Sequence, residues 1–247
     1  LSVLKTLSRR ADRPELMDDA QAGGPELSHA LSQLRVLNRL FHASGPTVYG
    51  VEQLWQAAGK PRSLRVLDVG CGSGDVNRSL LRWADKRQIQ ITIRLVDAGA
   101  EACEAARVLH RAEQRITVVQ ADLFRLSDLG ESADIVTATQ LLHHFHGEQL
   151  LSAVRALTSV AKLGVVINDI HRHWAAWVAV WGASRLLPGN RYIRHDGPLS
   201  VAKGFRAADW EKLAADLPAT QLKYSWRPLF RYAAVISRGG KGGVGNG

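Results

Sequence analysis

The chain of 247 residues is 46% apolar and 22% charged, with 32 Lys/Arg against 23 Asp/Glu (net charge +9) and two cysteines. These values fit a globular chain built on one large domain. They exclude a disulfide-built scaffold, and no apolar run reaches the roughly 18 residues of a spanning helix. The opening LSVLKTLSRR lacks the apolar stretch of a secretory signal, so a reducing, cytoplasmic setting is expected.

Residues 1–26 are polar, hold Pro14, Gly23, Gly24 and Pro25, and show no sustained period, which predicts a mobile or loosely docked leader. From Glu26, the residues Leu27, Leu31, Leu34, Leu37, Leu40 and Phe41 recur at helical spacing, and a second helix is expected around Val48–Ala58, closed by Gly59-Lys60-Pro61. The two make a helical cap over 27–60. Short β-branched runs then follow at Leu64–Val69, Ile91–Val96, Ile116–Gln120, Ile135–Ala138 and Val165–Ile167, separated by helical stretches near 75–87, 99–112 and 147–161. That alternation means βαβ units and a parallel sheet covered on both faces. A helix at 174–187, a polar loop at 191–200 and a helix at Ala207–Leu217 lead to two strand-like runs, Gln221–Trp226 and Phe230–Ile236. Their connection is too short for a parallel crossover, so they pair antiparallel. The glycine-rich residues 239–247 are expected to be a disordered tail.

Charge is unevenly placed. Residues 1–150 hold 18 Lys/Arg and 18 Asp/Glu, and residues 151–247 hold 14 and 5. An anionic partner of the C-terminal part is one reading, and scattered solvated charge the other. No dense basic block marks a nucleic-acid arm.

The stretch Val66-Leu67-Asp68-Val69-Gly70-Cys71-Gly72-Ser73-Gly74-Asp75 carries the most information. A strand runs into glycines and a helix follows at once, the arrangement that lets a ligand lie against backbone amides. The spacing is G-x-G-x-G, which departs from the dinucleotide fingerprint. With Asp97 ending the second strand in RLVDAG, Asp122 after the third in VVQADLF, and ADIV opening the fourth, the segment 64–236 resembles the class I S-adenosylmethionine-dependent methyltransferases. The resemblance implies a Rossmann-like, doubly wound seven-stranded α/β sheet of order 3-2-1-4-5-7-6 with an antiparallel last strand, in a domain spanning 27–238. It implies S-adenosylmethionine as cofactor and S-adenosylhomocysteine as product. Laid on the matching positions, the cofactor would be held by Asp68, Gly70, Cys71, Gly72, Gly74, Asp97, Ala98, Ala121, Asp122, Leu123 and Gln140. Asp97 takes the ribose hydroxyls, for which two acceptor oxygens are suited, and Asp122 the adenine amino group. Strand-end turns are the plainer reading of both aspartates. Cys71 reads as a small packing residue, and Asp68 as a cofactor contact, a bond to loop amides, or both.

After the fourth strand comes Leu141-Leu142-His143-His144-Phe145-His146, similar to the motif in which small-molecule O-methyltransferases keep a general base. His143 takes the base position, and His144 stands where that pattern has Asp. Base, substrate contact and packed core histidine remain open for His143. After the fifth strand, an insertion over 172–204 places Trp174, Trp177 and Trp181 on one helical face. Such a helix can lid a lipophilic pocket, lie on a membrane surface with Arg172 and Arg185 at its ends, or pack as core. The polar loop carrying Arg194, His195 and Asp196, together with Pro14-Glu15-Leu16-Met17-Asp18, resembles bacterial methyltransferases of polyketide and quinone biosynthesis. Under that resemblance Arg194 and His195 hold a phenolic or carboxylate group, with Asp196 orienting His195, and His144, His171 and Trp174 also line the acceptor site.

The resulting expectation is methyl transfer to a phenolic oxygen of a small aromatic, polyketide- or quinone-like substrate that is anionic or lipophilic. No metal is assigned, nucleic acid is not expected as a partner, peripheral membrane contact stays open, and the sequence sets no oligomeric state. The alternatives are C-methylation of a similar ring, an RNA or protein methyltransferase, and a cofactor-binding subunit without turnover.

Overall fold

The computed structural model describes residues 7–19, 22–130, 132–187, 189–218 and 220–238. The expected tail at 239–247 and the first six leader residues lie outside them. Two helices come first, α1 (Gly24–Leu40) and α2 (Gly45–Ala57). Each has a proline in its first turn, where the missing N–H costs nothing and φ is already helical. The alternating part follows as β1 (Ser63–Val69), α3 (Asn77–Lys86), β2 (Gln90–Asp97), α4 (Ala100–His110), β3 (Ile116–Gln120), β4 (Ala133–Thr139), α5 (Gly147–Ser159) and β5 (Ala161–Ile170). Then come α6 (Trp174–Leu186), α7 (Arg191–Lys203), α8 (Ala207–Ala215) and the hairpin of β6 (Thr220–Arg227) and β7 (Arg231–Arg238).

Among the described residues the strands form one seven-stranded sheet of order 3-2-1-4-5-7-6. β1 to β5 are parallel, and β7 lies antiparallel between β5 and β6. Side chains alternate between two cores. Val165 and Ile167 face Leu150, Val154, Leu157 and Trp210 of α5 and α8, whereas Val166 faces Val51 and Leu54 of α2 and Leu80 of α3. Burial on both faces is why the strands read as near-continuous apolar runs.

Three expectations need correction. The segment 191–200 is helix, not loop. Asn190 caps the N–H groups of Tyr192 and Ile193, and Tyr192 and Ile193 bury against Leu27, Ala30 and Leu37 of α1. That packing outweighs the break expected from Pro198, which the helix carries in its interior. The hairpin turn takes Pro228, Leu229 and Phe230, with Arg227 paired to Arg231. The leader is docked: Leu7 and Glu15 are buried, and Ala11 N–H donates to Ala202.

The cap meets the sheet at Gly50, where a Cβ would run into the Val166 side chain. Gly50→Ala is therefore expected to lower unfolding free energy by about 1–3 kcal/mol through overpacking, measured by denaturant titration.

Candidate functional site

The carboxyl ends of β1 to β5 form one edge, the place where open α/β sheets bind ligands. At β1 the turn holds Gly70, Gly72 and Gly74 at φ 66°, 54° and 71°. At Gly70 a side chain would also strike Leu141, 2.6 Å from the position of its Cβ. Gly72 has open space instead, so its backbone can be approached. The Asp97 carboxylate accepts from Gly72 N–H at 2.8 Å and Gly99 N–H at 2.9 Å, one amide per oxygen. Each oxygen keeps a lone pair for a ribose hydroxyl, so the turn and the ligand role coexist. Ala98 accepts from the Gln120 side chain, and Ala121 N–H donates to Asp97 O, which ties the ends of β2 and β3. Asp122 caps the following turn through Phe124 N–H at 2.9 Å, and Leu123 is buried behind it.

Asp68 lies beneath the loop, bonding neither the loop amides nor open space. Its oxygens accept from Asn77 and Thr137, each at 2.6 Å. Burial raises its pKa to about 6 against the pull of these two donors. Cys71 is kept protonated by burial, its thiol pushed well above the usual range beside Asp68 and Asp97, in keeping with a packing role.

Gln140, at φ 55°, donates from its side chain to Asn38 Oδ1 at 2.9 Å, and Asn38 Nδ2 reaches Asp75. Thr47 bonds Thr139 at 2.8 Å, and Asn168 donates to both Thr47 and Ala43 O. The cap is thus laced to β4 and β5 by neutral polar side chains and to the glycine loop through the Asp75 carboxylate.

His143 lies on the turn Leu142–His144 and is 2% exposed. Its Nδ1 is 2.7 Å from Asp169 Oδ1, and its backbone N–H donates to Asp169 Oδ2. Nε2 faces Glu15 Oε1 at 3.5 Å, and both atoms are buried without a hydrogen-bond partner. Burial alone would lower the pKa of His143, but Asp169 and Glu15 together carry it up to about 9. Glu15 and Asp169 stay ionised, their pKa values lowered by His143 in spite of burial. Lys203 Nζ lies 3.5 Å from Glu15 Oε1 and 3.4 Å from Asp18 Oδ2. The His144 ring lies 4.2 Å from that of His143, tilted by 32°, and pairs with Asp18 at 3.0 Å. Glu15, His143 and His144 offer ligand atoms within 4.8 Å of one another, but the Lys203 ammonium and Asp18 already answer their charge and donors.

The leader is strapped over this cluster. Arg10 donates to the carbonyls of His143, Phe145 and Lys203 and sits 4.2 Å over the Phe205 ring. Asp196 receives the N–H groups of Leu16 and Met17, so its first task is anchoring the leader, although it also holds His195 at 2.7 Å. Arg194 and His195 are exposed.

The remaining expected acceptor residues lie elsewhere. His171 belongs to an aromatic cluster with His173, Phe230 and Tyr232. Burial, with His173, Arg206 and Arg172 near by, takes its pKa down to about 4. The stripe divides: Trp174 is 54% exposed and Trp181 41%, whereas Trp177 is half-buried and packs against Ile170, Ala176 and Val201. Arg172 is buried, paired with Asp209 at 3.3 Å, and is not a helix-end membrane contact. Among the described residues, no hydrogen bond or ring contact joins His171 or Trp174 to His143.

Sequence reading missed Glu15, Asp169, Lys203, Arg10 and Asn38 as site residues. Glu15 stood in a quoted leader motif and Asp169 in NDIHRH, but only folding brings them to His143.

Residues 66–164 match the methyltransferase domain family. The chain is 34% identical over 161 residues to the ubiquinone biosynthesis O-methyltransferase of Pectobacterium atrosepticum, covering 62% of this chain and 61% of that one. It is 32% identical over 160 residues to that of Xanthomonas axonopodis pv. citri, covering 60% and 63%. The chain thus spans about three-fifths of the length of these relatives. In fold it is similar to the plantazolicin methyltransferase BpumL with S-adenosylhomocysteine (TM-score 0.63, 13% identity, 85% of this chain and 89% of that one). It is also similar to magnesium protoporphyrin IX methyltransferase from Synechocystis with the same product bound (0.54, 17%, 90% of each). The match over 66–164 is thus to a methyltransferase domain, and both solved neighbours hold S-adenosylhomocysteine, the demethylated form of S-adenosylmethionine. The open approach at Gly72 and the spare lone pairs of Asp97 fit its nucleoside.

Asp97→Ala is expected to weaken S-adenosylhomocysteine binding by about 1.5–3 kcal/mol, the range for hydrogen bonds to a charged group, measured by calorimetry. The raised His143 pKa has a consequence for stability. Its contribution is full below pH 6.5 and is lost as pH rises through about 9. Melting temperature should therefore fall between pH 6.5 and 9, with a shallower fall in Glu15→Gln, measured by calorimetric scans in matched buffers.

Proposed function

We propose that this protein moves a methyl group from S-adenosylmethionine to a phenolic oxygen of a small, quinone-like aromatic, with His143 as general base. The observation that supports it most is the His143–Asp169 pair at the ligand edge. Asp169 accepts a hydrogen bond from Nδ1–H, which leaves Nε2 as the reacting nitrogen. The names of the relatives favour oxygen over carbon as acceptor and a quinone pathway over other small molecules.

The cofactor supplies an electrophilic methyl on a sulfonium. The chain's residues do the rest. In the structure as it stands Asp169 and, to a smaller degree, Glu15 keep His143 protonated, so the base is stored in its acid form. Entry of an acceptor beneath the leader displaces the Glu15 carboxylate from Nε2, the pKa of His143 falls, and its proton passes to solvent. Nε2 then takes the hydroxyl proton, and the phenolate oxygen is the better nucleophile at neutral pH. A phenol titrates near ~10, so without a base little of it is ionised. Cys71 and Cys103 are unpaired, in keeping with a cytoplasmic setting, and among the described residues no helix is long and apolar enough to cross a membrane.

Methyl transfer is to be assayed against a panel of phenols, including vicinal diols. His143→Ala should lower turnover about 10²–10⁴-fold while S-adenosylhomocysteine affinity stays within twofold or so. Unchanged turnover in that variant would remove His143 as base.

A further inference from the structure

Arg231 opens β7 beside the carboxyl end of β5 and is 6% exposed. Its Nη1 is sealed from water without a hydrogen-bond partner. Asp169 acts on the guanidinium through space, with no hydrogen bond or ion pair to it among the described residues. The oxygens of Asp169 are already occupied by N–H groups of His143 and Ile170. Burial takes the Arg231 pKa down only to about 10, so the group stays charged at neutral pH. A buried guanidinium that no protein group meets is costly to the fold, and an orphan of this kind in a native structure calls for a cause.

Arg231 pairs with Ile170, and Asn168 lies two residues back on β5, so all three share one face of the sheet. On that face Val166 meets α2, and Arg227, paired with Arg231 across the hairpin, lies 4.1 Å over the Tyr49 ring of α2. Asn168 carries an orphan of the opposite kind. Its Nδ2 donates to Ala43 O and Thr47, which fixes the orientation of the amide, and its Oδ1 is buried with no partner. The protein closes neither atom. In the sheet β7 stands three strand spacings from β1, roughly 14 Å at ~4.8 Å each. Arg231 therefore belongs to the side of the ligand edge that holds Asp169 and His143, away from the glycine loop. A planar carboxylate matches the fork of an arginine, and a hydroxyl beside it would answer the amide oxygen.

We infer that Arg231 is a specificity-determining residue that holds the carboxylate of an aromatic hydroxy acid. The inference deepens the reading proposed above, an acceptor bound at this edge, and names the class of acceptor: a phenol that carries a carboxylate on its ring. The anion expected of the C-terminal part is then met inside the fold by a buried arginine, while Arg194 and His195 lie at the surface.

The test uses the whole protein saturated with S-adenosylhomocysteine and a pair of probes of nearly equal shape, 2-hydroxybenzoate and 2-hydroxybenzamide, titrated by calorimetry. The acid is expected to bind about tenfold or more tightly than the amide, the margin of a charge-assisted hydrogen bond. Arg231→Met should erase that margin, weakening the acid about tenfold and leaving the amide and S-adenosylhomocysteine within roughly twofold. Its melting temperature should hold or rise, because an apolar chain of similar length replaces an unmatched buried charge. Arg231→Lys keeps the charge without the fork and should lower the margin about threefold, which keeps the test decisive where methionine is not tolerated. Equal affinity for the two probes in the unaltered protein, or binding of neither, would overturn the inference. So would a margin left unchanged in both variants, or a loss of S-adenosylhomocysteine affinity in Arg231→Met, since the guanidinium would then serve the cofactor. Selective binding of the acid by a protein that methylates none of the phenols would remove the function proposed above and leave this subsite in place.

Discussion

Asp169 leaves the end of β5 as a carboxylate sealed from water, and a buried charge must be met by opposite charge and by donors. Its two oxygens receive the ring and backbone N–H groups of His143 and the N–H of Ile170. One side chain thereby fixes the turn after β4 against the end of β5 and sets the orientation of the His143 ring. The obligation is then handed on. His143 becomes a buried cation, Glu15 answers it from the leader, Lys203 from the end of α7 answers Glu15, and Asp18 answers Lys203. Segments distant in sequence are held together by one alternating chain of charges. Removing one member of such a buried pair costs about 3–5 kcal/mol because its partner is left stranded.

The two halves of the ligand edge are therefore built from different physics. Over the glycine loop the closure is neutral: Asn38, Thr47, Gln140 and Asn168 exchange amide and hydroxyl bonds between cap and strands. Their ionisable partner at the loop is Asp75, which accepts from Asn38 and whose pKa burial raises. Around His143 the closure is ionic, and its strength depends on which groups hold protons and on whether Glu15 is in place. The contact between Glu15 and Nε2 is the ionic link by which the leader closes over His143, and Lys203 and Asp18 complete it.

The strand positions and the glycine turn were legible in the sequence because each rests on local signals, and the sheet order followed from the family resemblance that they carry. β-branched runs mark strands, Gly70 to Gly74 mark the turn, and Asp97 and Asp122 sit at strand ends. Helix α7 was not legible: Gly197 and Pro198 argue for a break, and only the burial of Tyr192 and Ile193 against α1 overrides them. The leader failed for a related reason. Its residues show no period because it docks by single contacts, Arg10 on backbone carbonyls and Asp196 on backbone amides, and a partner 180 residues away leaves no local trace. Asp169 was read as part of a strand-end motif without its role, since its partner His143 belongs to a different βα unit.

The excess of cations after residue 150 divides along the same lines. Lys203, Arg172 and Arg231 are buried. The first closes the His143 cluster and the second pairs with Asp209. The third faces the charge of Asp169 from the neighbouring strand, its pKa lowered by burial to about 10. The first two are internal counter-charges for carboxylates that the fold has taken out of water. What remains at the surface is spread over several elements: Arg155, Lys162, Arg185, Arg191, Arg194, Arg206, Lys212 and Lys223 are all exposed. Composition alone could not separate the two uses, because a buried counter-ion and a surface cation are the same residue type. Burial separates them.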